Sequence, residues 1–359
     1  MGGSEHLWGK ERAIEALMIA QRAGGVVAPA LVTFSPSLLA KRATEDGFAV
    51  AVLDDGPHRL PVRAVARLLR RLRDDPPDVL HTHEYKANVA GRLIRPFLPR
   101  STVVLSTSHG WIETSSRLAW YAALDRMTAS LSDAVTVPSA DMLARLPRAA
   151  RAACVPNAIG DRSPADEAAR RAARAVFGFR EDAFVAGTFG RLSEEKGVLE
   201  FIAASNDARA AGVTWALAGA GPLEAAVREA PHVRFAGYLA DAGEFADALD
   251  VFVQPSRTEG LSLALLEAMR AGRPIVATAV GATAVAARPD IEALIVPAGD
   301  AAALVAAVER LRADPGLRER LGTAARGRFE AEFRLEAQQE AVLAQYQLAL
   351  ARRRRRLEA

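Results

Sequence analysis

The sequence predicts an α/β protein of two domains, each with a parallel sheet covered by helices on both faces. Short apolar or β-branched runs alternate with longer amphipathic stretches along nearly the whole chain, and such alternation is typical of parallel sheets. The chain has 359 residues, half of them hydrophobic. This length suits two cores better than one.

The predicted elements follow this alternation from one end of the chain to the other. The predicted strands are residues 26–27, 49–53, 79–80, 103–106, 134–137, 185–188, 214–218, 251–253, 275–277 and 293–296. The predicted helices between them include residues 11–22, 61–73, 87–93, 199–211 and 301–313. A polar stretch rich in Pro and Arg, residues 160–174, separates two rounds of the pattern. We therefore place the first domain at residues 1–160 and the second at residues 161–334.

The two ends of the chain depart from this pattern. A Rossmann-like half normally opens with a buried strand before its first glycine turn, whereas here Gly2 and Gly3 directly follow Met1. We expect either that the first domain lacks its first strand or that the chain starts downstream of the natural start. At the other end, apolar residues at helical spacing predict a helix over residues 335–350 with one buried stripe.

Composition excludes several classes of protein. No apolar run reaches the roughly 18 residues that a membrane span needs, and the first residues lack the basic start and apolar stretch of a signal peptide. Cys154 is the only cysteine, which excludes an internal disulfide and a cysteine-based zinc cluster. These features predict a cytoplasmic protein in which Cys154, flanked by apolar residues, is a small buried side chain.

Arginines are concentrated in two places although the formal net charge is only +3. One is the tail Arg352 to Arg356, and the other is the predicted helix at residues 61–73. Aromatic residues are scarce, which argues against nucleic-acid binding. The basic patches fit an anionic membrane surface or anionic substrates better. The helix either touches such a membrane at its periphery or covers the sheet with a solvated arginine face.

Two glutamates separated by seven residues, Glu259 and Glu267, provide the strongest functional signal. Glu259 follows a predicted strand and therefore lies in a loop at the carboxyl end of the sheet. Gly260, Leu261 and Ser262 begin a predicted helix, and Glu267 lies about two turns along it. The N–H groups and dipole at such a helix start suit a phosphate. Taken alone, the pair could also be an ordinary acid near a helix start and a surface glutamate.

A basic segment and a glycine-rich loop precede the glutamates. Gly190 allows a tight turn directly after a predicted strand, and Arg191 and Lys196 can converge at the end of that strand. Two fixed cations there could neutralise a diphosphate leaving group, although a solvated charged loop is the alternative. Gly219 and Gly221 follow the next strand. They lack the third glycine of a dinucleotide fingerprint but still allow close approach of a nucleotide.

The sequence offers no clear metal site. His81 and His83 lie two apart at a predicted strand end and point the same way, so they could bind a metal. No third ligand is apparent, and we expect His83 to line a cleft between the two predicted domains instead. The paired aspartates at 54–55 and 74–75 are adjacent and turn-like, and no D-x-D pair follows a strand. A departing diphosphate would therefore be stabilised by cations and a helix start.

In this order and spacing, the segments resemble the retaining GT-B glycosyltransferases of family 4, also called group 1 glycosyltransferases. The resemblance covers nearly the whole chain and is densest over residues 185–296. In the first half it is looser and rests on residues 2–5, 78–83, 107–110 and 155–157. It implies two Rossmann-like domains that face each other across a cleft, with the C-terminal helix packed back on the first domain.

The resemblance also implies a role for each candidate residue. Arg191 and Lys196 would hold the diphosphate of a nucleotide-sugar donor, Glu267 the ribose hydroxyls and Glu259 the transferred sugar. His109 would face the reacting sugar from the first domain, although an ordinary hydrogen-bonded loop histidine is the alternative. Gly2 and Gly3 would approach the donor phosphates. The rest of the donor site would comprise Gly190, Gly219, Gly221, Gly260, Leu261 and Ser262.

The implied function is a glycosyltransferase of class EC 2.4 in cell-envelope polysaccharide biosynthesis. It would move a sugar to a glycan or lipid-linked acceptor with retention, without a metal or cofactor, in the cytoplasm or at the inner face of the membrane. A sugar-nucleotide epimerase on the same scaffold is one alternative, although we find no additional acid and base groups for it. A non-catalytic nucleotide-binding protein is another.

Overall fold

The computed structural model describes residues 7–53, 62–111 and 116–358, and all pairs of strands within these ranges are parallel. The described strands are β1 (Ala30–Thr33), β2 (Ala49–Val52), β3 (Val79–His83), β4 (Val103–Thr107), β5 (Ala134–Val137), β6 (Ala152–Cys154), β7 (Phe184–Arg191), β8 (Val213–Ala220), β9 (Val233–Phe235), β10 (Val251–Gln254), β11 (Ile275–Thr278) and β12 (Ala293–Val296). The described α-helices are α1 (Gly9–Ala23), α2 (Leu38–Glu45), α3 (Val62–Asp74), α4 (Tyr85–Ile94), α5 (Ser116–Thr128), α6 (Ala140–Ala144), α7 (Glu167–Val176), α8 (Val198–Ser205), α9 (Glu224–Glu229), α10 (Gly243–Ala248), α11 (Leu263–Arg270), α12 (Thr283–Ala286), α13 (Ala301–Ala313), α14 (Pro315–Glu332) and α15 (Leu335–Glu358).

The chain divides into two compact units, residues 1–156 with 335–359 and residues 157–334. The second unit therefore starts at residue 157 rather than at the predicted residue 161. The reason is local: Ile159 forms a β-bridge with Arg334, and its N–H donates to the carbonyl of Phe333 at 3.2 Å. These contacts attach residues 157–160 to the end of the second unit.

The first unit contains a four-stranded sheet in the order β3-β4-β5-β6 and a separate pair, β1-β2. Helices α1 and α15 pack on the four-stranded sheet through Leu17, Val342 and Tyr346, which contact Val103 and Leu105 of β4 in one buried cluster. The C-terminal helix is longer than predicted and ends at residue 358. It belongs to the first unit although it follows the second in sequence.

The sheet of the second unit has the order β12-β11-β10-β7-β8-β9 and is covered on both faces. Along β10, the side chain of Phe252 lies in one hydrophobic cluster, with Leu265 and Phe329, whereas Val251 and Val253 lie in the other. Apolar residues therefore point to both faces. This is the pattern of a parallel strand buried between two helix layers.

Several predicted boundaries were wrong. The first described strand begins at Ala30 rather than at residue 26, directly after Pro29, which has no N–H to donate to a sheet. The predicted helix 199–211 breaks after Ser205, because Asp207 caps a separate 3₁₀ turn by accepting a hydrogen bond from the N–H of Arg209 at 2.9 Å. Cys154 is exposed rather than buried, since β6 is an edge strand.

Some predictions concern residues outside the described ranges. Gly2 and Gly3 lie there, as does the aspartate pair at 54–55. Among the described residues, no strand precedes α1. Within the same ranges, no helix combines the length and the apolar character that crossing a membrane requires.

Candidate active site

The predicted site residues of the second unit lie where the strand order of its sheet reverses. Strands β8 and β9 follow β7 on one side, and β10, β11 and β12 continue on the other. The loops after β7 and β10 therefore start side by side at the carboxyl edge of the sheet. In open α/β sheets, ligands bind in the crevice at this switch point.

Hydrogen bonds hold the loops after β7 and β10 against each other. The N–H groups of Arg257 and Thr258 both donate to the carbonyl of Glu195, at 2.9 and 3.3 Å. The guanidinium of Arg257 also donates to the carboxylate of Glu200, whose side chain is 7% exposed. These bonds fix the basic segment relative to the glutamate segment.

Gly197 allows the closest approach between the two loops. It has φ = 68°, and a Cβ atom there would lie 1.9 Å from the carbonyl oxygen of Pro255. No other residue fits a positive φ with a backbone atom at that distance. The glycine after Lys196 therefore has a packing function that its place in the sequence did not indicate.

Lys196 and Glu259 form an ion pair between these two loops. The ammonium Nζ lies 2.7 Å from both carboxylate oxygens of Glu259, and the hydroxyl of Ser256 donates to Oε1 at 2.8 Å. The side chain of Glu259 is 5% exposed, whereas that of Lys196 is 34% exposed. A buried carboxylate is stable when it is paired and hydrogen-bonded. One face of the lysine remains open to solvent and to a ligand.

Glu267 lies in the middle of α11 and is mostly buried. Its Oε2 accepts a hydrogen bond from Arg270 at 3.0 Å, and the side chain is 13% exposed. Arg270 also donates to the carbonyl of Gly160 at 2.9 Å. Glu267 is therefore held at a defined position, unlike a solvated glutamate on a helix surface.

The segment between the two glutamates positions the start of α11. The hydroxyl of Ser262 caps the helix by accepting from the N–H of Leu265 at 3.4 Å. The side chain of Leu261 is buried in the core, and its carbonyl accepts from Asn157 at 2.9 Å. The carbonyl of Gly260 accepts from the N–H of Ala282 at 3.1 Å. The side chain of Leu261 therefore stabilises the core, and its carbonyl holds the start of α11 against Asn157.

The glycine-rich loop packs against the basic segment. Gly190 and Gly219 are register partners in β7 and β8, and a Cβ atom on Gly219 would lie 1.9 Å from the carbonyl oxygen of Gly190. Gly221 lies close to the backbone of Leu192 in the same way. Arg191 is the exposed last residue of β7. The two strand ends can therefore run together at the edge where Arg191 emerges.

Several residues of this site were given no contact from the sequence, although Asn157 lies in one of the segments that carry the family resemblance. Ser256, Asn157 and Gly281 all contact the glutamate segment, and a Cβ atom on Gly281 would lie 2.0 Å from the carbonyl oxygen of Glu259. Ser256 lies three residues before Glu259, a spacing at which a serine side chain can reach a following acid. Asn157 and Gly281 carry no such local signal, because their partners are distant in sequence.

The first unit contains a cluster of partly buried histidines. His83 Nδ1 lies 3.0 Å from His109 Nε2, and the rings of His81 and His83 are 4.1 Å apart. His81 is bonded through one nitrogen to the hydroxyl of Tyr346 and through the other to that of Thr107, both at 2.7 Å. No group of three or more His, Cys, Asp or Glu side chains within the described ranges could hold a metal ion.

Burial controls the charge of these histidines. Removal from water lowers the pKa of His81 to about 3 and that of His109 to about 4. The pKa of His83 also falls well below its ordinary value, first because of burial and then because of repulsion from His81 and His109. All three rings are therefore neutral at neutral pH. Each neutral ring has one donor and one acceptor nitrogen for its hydrogen bonds.

Two family models match the chain, one in each unit. The model described as "Glycosyl transferases group 1" matches residues 183–314. The model described as "Glycosyltransferase Family 4" matches residues 9–161. The first match contains the basic, glycine-rich and glutamate segments, and the second contains the histidines. The chain belongs to the group 1 glycosyltransferases.

Individual relatives of this group 1 glycosyltransferase match in part. The lipopolysaccharide core biosynthesis glycosyltransferase LpsD of Rhizobium meliloti (strain 1021) is 34% identical over 188 residues, which are 50% of this chain and 54% of that protein. The chain spans about half the length of the first curated relatives that it matches.

Solved structures match over nearly the full length. A sucrose-phosphate synthase from Thermosynechococcus elongatus superposes with a TM-score of 0.81 at 22% identity, covering 96% of this chain and 94% of that one. HepE from Anabaena, in complex with UDP and glucose, gives a TM-score of 0.81 at 19% identity, covering 95% and 96%. The chain therefore has the GT-B fold with two Rossmann-like domains, as the resemblance implied.

The lowered pKa values of the three histidines predict that the first unit loses stability in mild acid. Below about pH 6.5, unfolded histidines take up protons that the folded rings exclude, so the unfolded state binds more protons. The free energy of unfolding should fall as the pH is lowered from about 6.5 toward 4, by up to about 1.4 kcal/mol per pH unit for each ring. The chain is unfolded in urea at pH 7.5 and at pH 5.0, and pulsed deuterium labelling at one fixed pH then reports how much of each peptide is unfolded. The urea midpoint of the peptides of β3 to β5 measures the predicted loss of stability.

Peptides of β10 to β12 serve as the internal reference, because these strands contain no histidine. In the His81→Gln variant the acid-induced shift should be smaller, since one ring fewer takes up a proton. Equal shifts of the urea midpoint in both sets of peptides would contradict this prediction.

Proposed function

We propose that this chain is a retaining glycosyltransferase that moves a sugar from a nucleotide-diphosphate sugar to a glycan or lipid-linked acceptor. The observation that carries the proposal is the joint placement of Lys196, Glu259 and Glu267 in two loops and a helix beside the switch point. This arrangement offers a cation for the diphosphate and two carboxylates for hydroxyl groups. Membership of the group 1 glycosyltransferases supports it.

Lys196 and Arg191 bind the diphosphate in this proposal. Charge grows on the leaving group as its bond to the sugar breaks, so fixed cations stabilise the transition state more than the ground state. The partly exposed ammonium of Lys196 can contact a phosphate oxygen while it stays near Glu259. N–H groups at the start of α11 add further donors.

Glu259 binds the transferred sugar and Glu267 the ribose. Each carboxylate can accept hydrogen bonds from two neighbouring hydroxyl groups. Glu259 keeps its orientation through Ser256 and Lys196, and Glu267 through Arg270. Family resemblance assigns His109 of the first unit to the reacting sugar, and we keep that assignment as part of the proposal.

The proposed reaction retains the configuration at the anomeric carbon. The bond between this carbon and the phosphate oxygen breaks, and the acceptor oxygen bonds to the carbon on the same face. The proton of the acceptor hydroxyl passes to the departing phosphate, so charge and atoms balance without an external base. We propose that no metal takes part, since Lys196, Arg191 and the helix start supply the positive field.

The acceptor class is proposed from the relatives. LpsD is described as a lipopolysaccharide core biosynthesis glycosyltransferase, and EpsD of Bacillus subtilis (strain 168), 27% identical over 72% of this chain, as a putative glycosyltransferase. The description of LpsD supports a cell-envelope glycan or a lipid-linked sugar as the acceptor.

We expect the purified chain to release nucleoside diphosphate from one of the UDP, GDP or ADP sugars, and to do so equally in EDTA. Radiolabelled donors and separation of the products measure this directly. Arg191→Ala and Lys196→Ala should each lower kcat more than they weaken donor binding, because the cations act mainly in the transition state. The anomeric configuration of the product, read by NMR, tests retention.

Three outcomes of this assay would contradict the proposal. Loss of turnover in EDTA would indicate a metal. Conversion of the donor into an isomeric nucleotide sugar would favour the epimerase. Binding of all donors without turnover would favour a non-catalytic nucleotide-binding protein.

Variants of the two glutamates should differ in their affinity for the free nucleoside diphosphate, which titration calorimetry measures. Glu267→Ala should weaken binding by about 1.5 to 3 kcal/mol, because the ribose is present in the free nucleotide. Glu259→Gln should leave this affinity nearly intact and lower turnover, because the free nucleotide has no sugar to contact. The exposed Glu224, which pairs with Arg228, offers a matched control as Glu224→Gln.

The ion pair of Lys196 with Glu259 provides a further test of these assigned roles. Lys196→Ala removes a cation and also leaves the buried charge of Glu259 uncompensated, so it should weaken nucleotide binding for two reasons. Adding Glu259→Gln to Lys196→Ala should restore part of the affinity. Equal weakening by the two glutamate variants would mean that the roles are wrongly assigned.

We also propose peripheral contact of the first unit with an anionic membrane. Arg73 in α3 donates to the carbonyl of Phe97 at 3.0 Å, and Arg353 in α15 donates to that of Arg100 at 2.6 Å. Phe97 is 57% exposed, as is Leu93. Exposed apolar groups surrounded by arginines fit an anionic lipid surface.

Sedimentation with lipid vesicles tests this contact. The chain should bind phosphatidylglycerol vesicles and not phosphatidylcholine vesicles, and high salt should weaken binding. Phe97→Ser should reduce binding, whereas Val285→Ser, at an exposed apolar residue of the second unit, should not. Binding to both lipids alike, or to neither, would contradict the proposal.

A further inference from the structure

One buried carboxylate bonds to the loop that contains His109 on both sides of this residue. Residues 108–111 follow β4, and side chains on both sides of His109 bond to Asp125 of α5. Ser108 Oγ donates to Asp125 Oδ2 at 2.6 Å, and Trp111 Nε1 donates to the same oxygen at 2.9 Å. Asp125 is 1% exposed. One oxygen atom thus fixes the loop before and after His109.

The second oxygen of Asp125 fixes the carboxylate itself. Oδ1 accepts from Arg92 Nη1 at 2.9 Å and from Asn88 Nδ2 at 3.1 Å. Arg92 also donates to Ser132 at 3.0 Å, so it is anchored independently. The side chains of Arg92 and Asp125 are both completely buried. The carboxylate therefore has bonded neighbours on both oxygens and little freedom to move.

Two further hydrogen bonds hold the main chain on either side of His109. Asn88 of α4 donates to the carbonyl of Thr107 at 3.2 Å, and Tyr85 donates to that of Gly110 at 2.6 Å. The ring is bonded to His83. Main chain and ring are thus held separately, and the main chain is supported from α4, from α5 and from β5, where the carbonyl of Thr136 accepts from the N–H of Ser108 at 3.1 Å.

Stability alone does not account for this network. A buried ion pair is often no more stabilising than apolar residues of the same volume, because both charges lose their hydration. Holding a loop in one geometry is a different benefit, and sites need such support to keep a reacting side chain within about 0.5 Å of its working position. The bonds of Asp125 converge on the residues next to His109, which is the expected placement of such support.

We propose that Asp125 is a positioning residue for His109. It acts through Ser108 and Trp111 and does not itself touch the substrate. The inference rests on the proposed function, in which His109 contacts the reacting sugar. It adds that the rate of transfer depends on a carboxylate that is completely shielded from solvent.

Asp125→Asn is the informative substitution because it keeps shape and changes the bonding. An amide has one acceptor oxygen, which Arg92 requires, so its NH₂ group must face Ser108 and Trp111. The serine hydroxyl can turn and accept, but the indole N–H can only donate. The bond to Trp111 is then lost, and the residues after His109 lose their attachment.

A second Arg–Asp pair in the same unit provides the matched control. Arg95 donates to both oxygens of Asp133, whose side chain is 8% exposed and also accepts from the N–H of Val104 at 2.9 Å. This pair belongs to the amino-terminal end of β4 and does not contact residues 107–111. Asp133→Asn therefore weakens a comparable buried pair without changing the His109 loop.

The experiment measures kcat, nucleoside diphosphate affinity, the thermal midpoint and the ¹⁵N imidazole signals of His109 in both variants. Asp125→Asn should lower kcat about 10- to 100-fold, the size expected for a misplaced reacting group, leave nucleotide affinity unchanged and shift the His109 signals. Trp111→Phe should reproduce these effects. Asp133→Asn should lower the thermal midpoint but change neither kcat nor the His109 signals.

Equal losses of kcat in Asp125→Asn and Asp133→Asn would overturn the proposal, since the effect would then follow stability. Unchanged His109 signals in a folded Asp125→Asn variant would also overturn it. If the wild-type chain turns over no nucleotide sugar, the proposed function fails. The NMR arm still decides whether Asp125 fixes His109. Should Asp125→Asn not fold, Trp111→Phe carries the same test.

Discussion

Parallel pairing of β7 with both β8 and β10 is the constraint on which the candidate donor site depends. Parallel strands end at the same edge of a sheet, so the loops after them meet there although they are far apart in sequence. In this chain the loops after β7 and β10 come close together because Gly197 has no side chain, and Gly281, which follows β11, allows an equally close approach to the loop after β10. The sheet thereby determines which charged residues can form pairs.

Buried ion pairs occur at both candidate positions and have different consequences. Lys196 and Glu259 join two loops, and the lysine stays partly open to solvent, so a ligand can share it. Arg92 and Asp125 are completely buried and are surrounded by neutral donors, so no ligand can reach them. The first pair suits binding and the second suits rigidity, since burial decides whether a charge can change partners.

The first unit shows how a distant segment can complete a core. Helix α15 follows the whole second unit in sequence, yet its Tyr346 bonds to His81 of β3 and accepts from Gln21 of α1 at 3.1 Å. Burial raises the pKa of this tyrosine to about 12. The first unit is therefore completed by a segment that follows the second unit in sequence. Polar hydrogen bonds specify where this last helix packs.

By itself the sequence determined the fold class, the alternation of strands and helices, and the segments that hold Arg191, Lys196, Glu259 and Glu267. These follow from local periodicity and from residue types after strand ends, which act over a few residues. Tertiary structure decided which residues distant in sequence form pairs, because local sequence patterns carry no information about such contacts. Lys196 and Glu259, which form an ion pair, are 63 positions apart in the sequence. The residues that bond to the carboxylate of Asp125 are at least 14 positions from it. Such contacts depend on strand order and on burial, and both emerge only when the sheet is assembled.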